Sequence, residues 1–160
     1  MRVEHTFPAL YDADSKILIL GTMPSPKSRE LGFYYGHPQN RFWKVMQALF
    51  DCELDTVQEK EDFCHHYHIA LFDVLASCTI EGASDASIKN AVPNDLLPIF
   101  KTAEINAVFT TGKKAYDLYH RYQEEKTAVP AILLPSTSPA NAVKTLDMLI
   151  EDYRIILNYL

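Results

Sequence analysis

The chain is short of cysteine, and what it has is poorly placed for a bridge or a cluster. Cys52, Cys64 and Cys78 are an odd number, widely spaced, with no CxxC pair. That argues against a disulfide framework, a zinc knuckle and an iron–sulfur centre. The run Cys64-His65-His66-Tyr67-His68 offers one i,i+4 pair, Cys64 and His68, without an obvious third ligand, so no metal site is predicted. No apolar run approaches the roughly 20 residues that span a bilayer. Met1–Thr6 lacks the apolar segment of a secretory signal, and a soluble, cytoplasmic protein with no membrane contact is expected. Also missing are a phosphate-binding GxxxxGK[ST], a GxGxxG, and a nucleophile–base pair of the Ser/His/Asp type.

What is present is an ordinary globular mixture, 48% hydrophobic and 22% charged over 160 residues. It is enough for a core of its own and one domain over 1–160. The net charge of −6 is awkward for a partner made of phosphates. It is unevenly spread, however: between Lys16 and Lys44 five basic residues face a single acid, Glu30.

Short continuous apolar runs at Lys16–Leu20, Ile69–Phe72, Ala107–Thr110 and Ala131–Leu134 read as buried parallel strands. The first is stopped by Gly21 and followed by Thr22-Met-Pro-Ser-Pro26, where two prolines predict a loop that continues past Gly36. Helices are predicted from near Pro38, with Phe42, Val45, Met46 and Leu49 on one face; from a Thr56-x-x-Glu59 capping box to about Tyr67; weakly over Ser87–Ala91; over Asp95–Lys101 with Asn94 as cap; from Lys113 to about Glu124; and from about Ala142 to the C-terminus. Residues 1–14 read as an extended lead-in. Strands alternating with helices predict a three-layer α/β/α sandwich around a four-stranded, mainly parallel sheet.

In such sheets ligands bind at the carboxyl ends of the strands. There the sequence places Gly21–Pro26, the aromatic run Phe33-Tyr34-Tyr35, His37-Pro-Gln-Asn40, Asp73, Thr110-Thr-Gly-Lys-Lys114 at a helix start, and Ser136-Thr-Ser-Pro139. Helix starts and Ser/Thr-Pro loops suit phosphodiester contacts, and tyrosines suit stacking on a base.

Three blocks resemble the uracil-DNA glycosylase superfamily: Ile17–Gly21 with Thr-Met-Pro, Gly32-Phe-Tyr-Tyr-Gly-His-Pro-Gln-Asn-Arg-Phe-Trp-Lys-Val-Met46, and Leu134-Pro-Ser-Thr-Ser-Pro-Ala-Asn141. The middle block is similar to the mismatch-specific uracil and thymine branch. Together with Ile69–Cys78, Asn90–Asp95 and Gly112–Ala115 the whole resembles the hypoxanthine-DNA (deoxyinosine) glycosylase branch. The resemblance implies a monofunctional glycosylase of base excision repair. Such an enzyme would flip a deaminated base, hypoxanthine foremost, out of DNA and hydrolyse its N-glycosidic bond, working in the nucleoid as a monomer without cofactor. A uracil or mismatched-pyrimidine specificity stays open. So does a catalytically silent DNA-binding module, because Met23 stands where the superfamily commonly has an Asp or Asn to handle water.

The resemblance implies a catalytic role for Asn40, and Ser136 takes the place of a histidine that stabilises the departing base. Asp73 matches a base-reading Asn, with Tyr34, Tyr35, Met23 and His37 around the base. Ser25, Gly112, Lys113 and Ser138 are the expected phosphate contacts. Ala140 matches an intercalating Leu, so the DNA wedge is sought elsewhere. No lysine is placed as a Schiff-base nucleophile, and no strand-cleaving lyase step is expected.

Overall fold

The computed structural model describes residues 1–160. Four strands, β2 (Ile17–Gly21), β3 (Ile69–Asp73), β6 (Ala107–Thr111) and β7 (Ala131–Leu134), form a sheet in the order β3-β2-β6-β7. Every pairing in it is parallel. The central strand β2 is buried along its whole length, which is why it reads as an unbroken apolar run. Successive side chains alternate between faces. Ile17 and Ile19 enter one core with Phe42, Met46 and Tyr153, while Leu18 and Leu20 enter the other with Val108, Leu118 and Tyr119.

The first face is covered by α2 (Phe42–Phe50), α3 (Val57–His66) and α7 (Leu146–Tyr153). Over the second lie α4 (Leu97–Thr102) and α5 (Lys113–Tyr122), with the four-residue turn of helix α6 (Glu124–Thr127) following α5. The expected sandwich and four-stranded sheet are therefore present. The capping box is too: the Thr56 hydroxyl accepts from Glu59 N–H at 3.1 Å, and the Glu59 carboxylate accepts from Thr56 N–H at 2.9 Å.

Several elements differ from the sequence reading. Residues 1–14 are not merely a lead-in, because β1 (Arg2–Glu4) pairs antiparallel with β4 (Leu75–Thr79), and β4 pairs with β5 (Lys89–Pro93). This second, three-stranded sheet feeds Val3, Leu75 and Cys78 into the second core. The helix expected over Ser87–Ala91 is replaced by a 3₁₀ turn at Asp85–Ser87 running into β5. Asn94 does not cap a helix: its amide donates to the backbone carbonyls of Asp73 and Leu75, both at 2.9 Å, and pins the junction of β3 and β4. α4 starts two residues beyond Asp95, whose carboxylate accepts from Leu97 N–H.

The loop after β2 contains a short helix, α1 (Pro26–Leu31), started by Pro26 with Ser25 as its cap and ended by Gly32 at φ 76°. The helix expected from Pro38 begins at Phe42, because residues 38–39 turn before it. The last helix starts at Leu146 rather than Ala142, capped by Thr145, and tightens into a 3₁₀ turn from Arg154. No helix is long and apolar enough to cross a membrane.

Candidate active site at the strand ends

Because all four strands of the main sheet run the same way, their carboxyl ends share one edge. Gly21 lies beside Asp73 and Thr111 beside Leu134 in register. A cavity of about 260 Å³ opens there. Of the expected site residues, Met23, Ser25, Tyr34, Tyr35, His37, Asn40, Asp73, Ser136 and Ser138 line it. Gly112 and Lys113 lie outside its walls. Lys113 reaches back to Asp117 at 2.7 Å on its own helix, and Gly112 packs behind Ser136. One wall comes from an unforeseen source, the turn between β4 and β5, which contributes Ile80, Gly82, Ala83 and Asp85.

Asp73 is the buried carboxylate of the cavity floor, 5% exposed. Its Oδ2 accepts a hydrogen bond from His5 Nε2 at 2.8 Å. Its Oδ1 lies over Gly21, so close that a Cβ added to that glycine would stand 2.5 Å from it. The same point is 3.6 Å from the Tyr35 hydroxyl and 3.7 Å from Thr111 Oγ1, so these polar atoms crowd one spot on the floor. Burial pushes the Tyr35 hydroxyl above the ordinary phenol range, and the negative Asp73 beside it adds to the shift. Tyr35 is therefore a neutral donor at any ordinary pH. Asp85 is pushed above the usual carboxylate range by desolvation, an effect offset by Lys114 and reinforced by Asp73.

The two tyrosines differ in placement. Tyr34 is core: its ring packs edge-on against Phe7 and Phe33, and its hydroxyl donates to the Pro8 carbonyl at 2.8 Å. Tyr35 has one face stacked on Phe42 at 3.9 Å and 10°, so only its other face, its edge and its hydroxyl are left for the cavity it lines. His37 Nδ1 accepts from Gln39 N–H at 3.0 Å, which leaves Nε2 to carry the ring proton.

Asn40 sits just before α2, and its side-chain oxygen is fully engaged. Oδ1 accepts from Phe42 N–H at 2.9 Å and from the Thr137 hydroxyl at 2.8 Å. A backbone N–H can only donate, so the oxygen must face Phe42, and both amide N–H groups are left without a protein partner. Asn40 thus tethers the start of α2 and presents donors, not an acceptor, to the cavity.

The loop after β7 is held by Arg41. Its guanidinium donates to the carbonyls of Lys144, Ser138 (3.0 Å) and Asn141 (2.9 Å), and its backbone N–H donates to Thr137 O at 3.0 Å. Asn141 Nδ2 ties the loop to Ser136 O. A lysine cannot reproduce this planar fork. Arg41→Lys is expected to cost about 2 kcal/mol, the scale of part-buried bonds from a charged donor. The urea midpoint measures that loss, and faster amide exchange over 138–144 should accompany it.

Sequence reasoning missed His5, Thr111, Thr137 and Asp85. Thr111 and Thr137 sit in runs already chosen for their position. His5 and Asp85 carried no local signal, since the small antiparallel sheet is what brings His5 to Asp73 and Asp85 to the cavity wall.

The model of the uracil DNA glycosylase superfamily matches residues 8–159. A hypoxanthine DNA glycosylase of Methanosarcina acetivorans is 33% identical over 144 residues, covering 87% of this chain and 89% of that protein. One from Methanosarcina barkeri is 31% identical over 112 residues, covering 68% and 71%. The solution structure of a protein from Methanosarcina acetivorans, described as a candidate uracil DNA glycosylase, superposes with a TM-score of 0.80 at 27% identity, covering 98% of this chain and 99% of that one. The chain belongs to the uracil DNA glycosylase superfamily.

Proposed function

We propose that this DNA glycosylase excises hypoxanthine, with Asp73 reading the base and Asn40 serving the hydrolysis. The observation that carries the reading is the ionisable floor of the cavity: a buried carboxylate with one oxygen held by His5 and the other lying over Gly21. Hypoxanthine presents N1–H, which a carboxylate accepts. Adenine presents a bare lone pair at N1, which a carboxylate repels. A site built on a hydrogen bond rejects the analogue that lacks it by a large factor. The names of the two Methanosarcina relatives point to the same lesion.

The substrate would be a deaminated nucleotide flipped from the duplex. The glycosidic bond breaks with its electron pair passing to the purine, and water then adds to the sugar cation and gives up its proton to solvent. Asn40, with two free N–H donors, suits holding an oxygen or the departing base as negative charge develops. It is unsuited to taking a proton. Ser136, Tyr35, Met23 and His37 complete the walls, and Ser25 and Ser138 stand at the rim for phosphate contact. Gly112 and Lys113, outside the cavity, would touch the backbone only if the duplex extends across the start of α5.

The test is a labelled duplex with one deoxyinosine, incubated with protein and then cut with alkali at any abasic site. Duplexes with uracil or xanthine, which also present an N–H at the matching edge, run in parallel. Alkali-dependent cleavage at deoxyinosine, falling about 10²-fold or more in Asp73→Ala, is the expected result. Preferential cleavage at uracil would move the protein to that specificity. No release from any lesion by folded protein would leave a DNA-binding module.

A further inference from the structure

His5 lies outside the parallel sheet, just past β1, and is not itself a lining residue of the cavity, yet its ring reaches the carboxylate of Asp73, which is. The His5 and Asp73 side chains are 3% and 7% exposed. Phe7, Phe72 and Tyr34 surround the imidazole with ring centroids at 4.5, 5.1 and 6.0 Å. The bond from His5 Nε2 is the one side-chain hydrogen bond made to the Asp73 carboxylate. A carboxylate only accepts, so the ring donates.

We infer that His5 is a specificity-determining positioning residue: its N–H occupies Oδ2 and turns Oδ1 alone toward the base. The terminal torsion of an aspartate is soft and two-fold, and nothing else on the floor fixes it. Tyr34, Tyr35 and Asp85 also bear on Asp73, but none donates to it. With Oδ2 engaged, the base meets one acceptor in a fixed place, matched to an N1–H and mismatched to a bare N1. The inference rests on Asp73 reading the base, and it adds that discrimination depends on a residue that never touches the base.

The experiment measures Kd for two duplexes that bind without being cut, one holding 2′-fluoro-deoxyinosine and one 2′-fluoro-deoxyadenosine. Wild-type protein is expected to prefer the first. His5→Phe keeps the ring and its aromatic neighbours but removes the donor. Its affinity for the inosine duplex should fall about tenfold, the scale of one hydrogen bond to a charged group, with the adenosine duplex unchanged. His5→Gln, whose amide can donate at the position of Nε2, should restore most of the preference. His5→Asn, too short to reach Oδ2, should not, and this pair decides the matter if His5→Phe does not fold.

Equal weakening on both duplexes, or loss in His5→Gln at an unchanged Tm, would overturn the proposal and leave His5 as a tie between the first strand and the sheet. Asp73→Ala separates the two claims. If it leaves the preference intact, base reading by Asp73 fails. If it removes the preference while His5→Phe does not, only the role of His5 fails.

Discussion

Gly21→Ala is expected to lower hypoxanthine excision about 10²-fold in a protein that still folds, because misplacing a recognition group by about an ångström costs that much. The added methyl carbon would stand 2.5 Å from Asp73 Oδ1, well inside van der Waals contact. The backbone of Gly21 is not in the left-handed region, so alanine meets no conformational strain and the effect is steric alone. Of the two groups, the carboxylate must move. β2 is the buried centre of the sheet, and Gly21 is locked in register beside Asp73. The carboxylate cannot swing away freely, since Oδ2 is held by His5 at 2.8 Å. Either that bond breaks or the floor rises into the cavity. Overpacking of this kind costs about 1–3 kcal/mol, which a protein with two cores can absorb. Single-turnover excision of deoxyinosine, read beside the Tm, checks it. An alanine protein that keeps the wild-type rate would mean that the position of Oδ1 is immaterial to the chemistry.

Gly21 also shows what could be read in advance. Four continuous apolar runs announced four parallel strands, because strands buried on both faces leave no polar alternation to confuse with a helix. Parallel strands bring their ends to one edge, so Asn40, Asp73 and Ser136 could be gathered from positions far apart in the chain. The small antiparallel sheet could not. Its strands are three and five residues long, with exposed Lys89 and Asn90 and a terminal Pro93 in β5, so neither alternation nor continuous hydrophobicity marks them. They hold together by pairing across 73 or more residues between β1 and β4, which no local pattern encodes. That sheet brings His5 to Asp73 and Asp85 to the cavity wall, and both were invisible for the same reason. α1 was legible and was missed: Ser25-Pro26 is a cap followed by a first-turn proline, and two prolines close together hid it.

Asn40→Asp is the substitution that decides what Asn40 does, and its expected outcome is a loss of about 10²–10³-fold in single-turnover excision with stability nearly unchanged. That range is typical of removing one preorganised donor from developing charge. Aspartate has the shape of asparagine and keeps an oxygen where Oδ1 now accepts from Phe42 N–H and the Thr137 hydroxyl. The tether to α2 and the link to the loop after β7 therefore survive. What disappears is the pair of N–H groups without a protein partner, replaced by a second acceptor. Were Asn40 the residue that draws a proton from water, aspartate would be the stronger base and the variant would equal or exceed the wild type. Asn40→Ala loses tether and donors together, so it should be as slow as the aspartate variant and less stable by about 1 kcal/mol, as for a lost helix-start bond. Urea unfolding of both variants, set against their excision rates, separates the two contributions: a shared rate defect with different midpoints assigns catalysis to the N–H groups and stability to the oxygen.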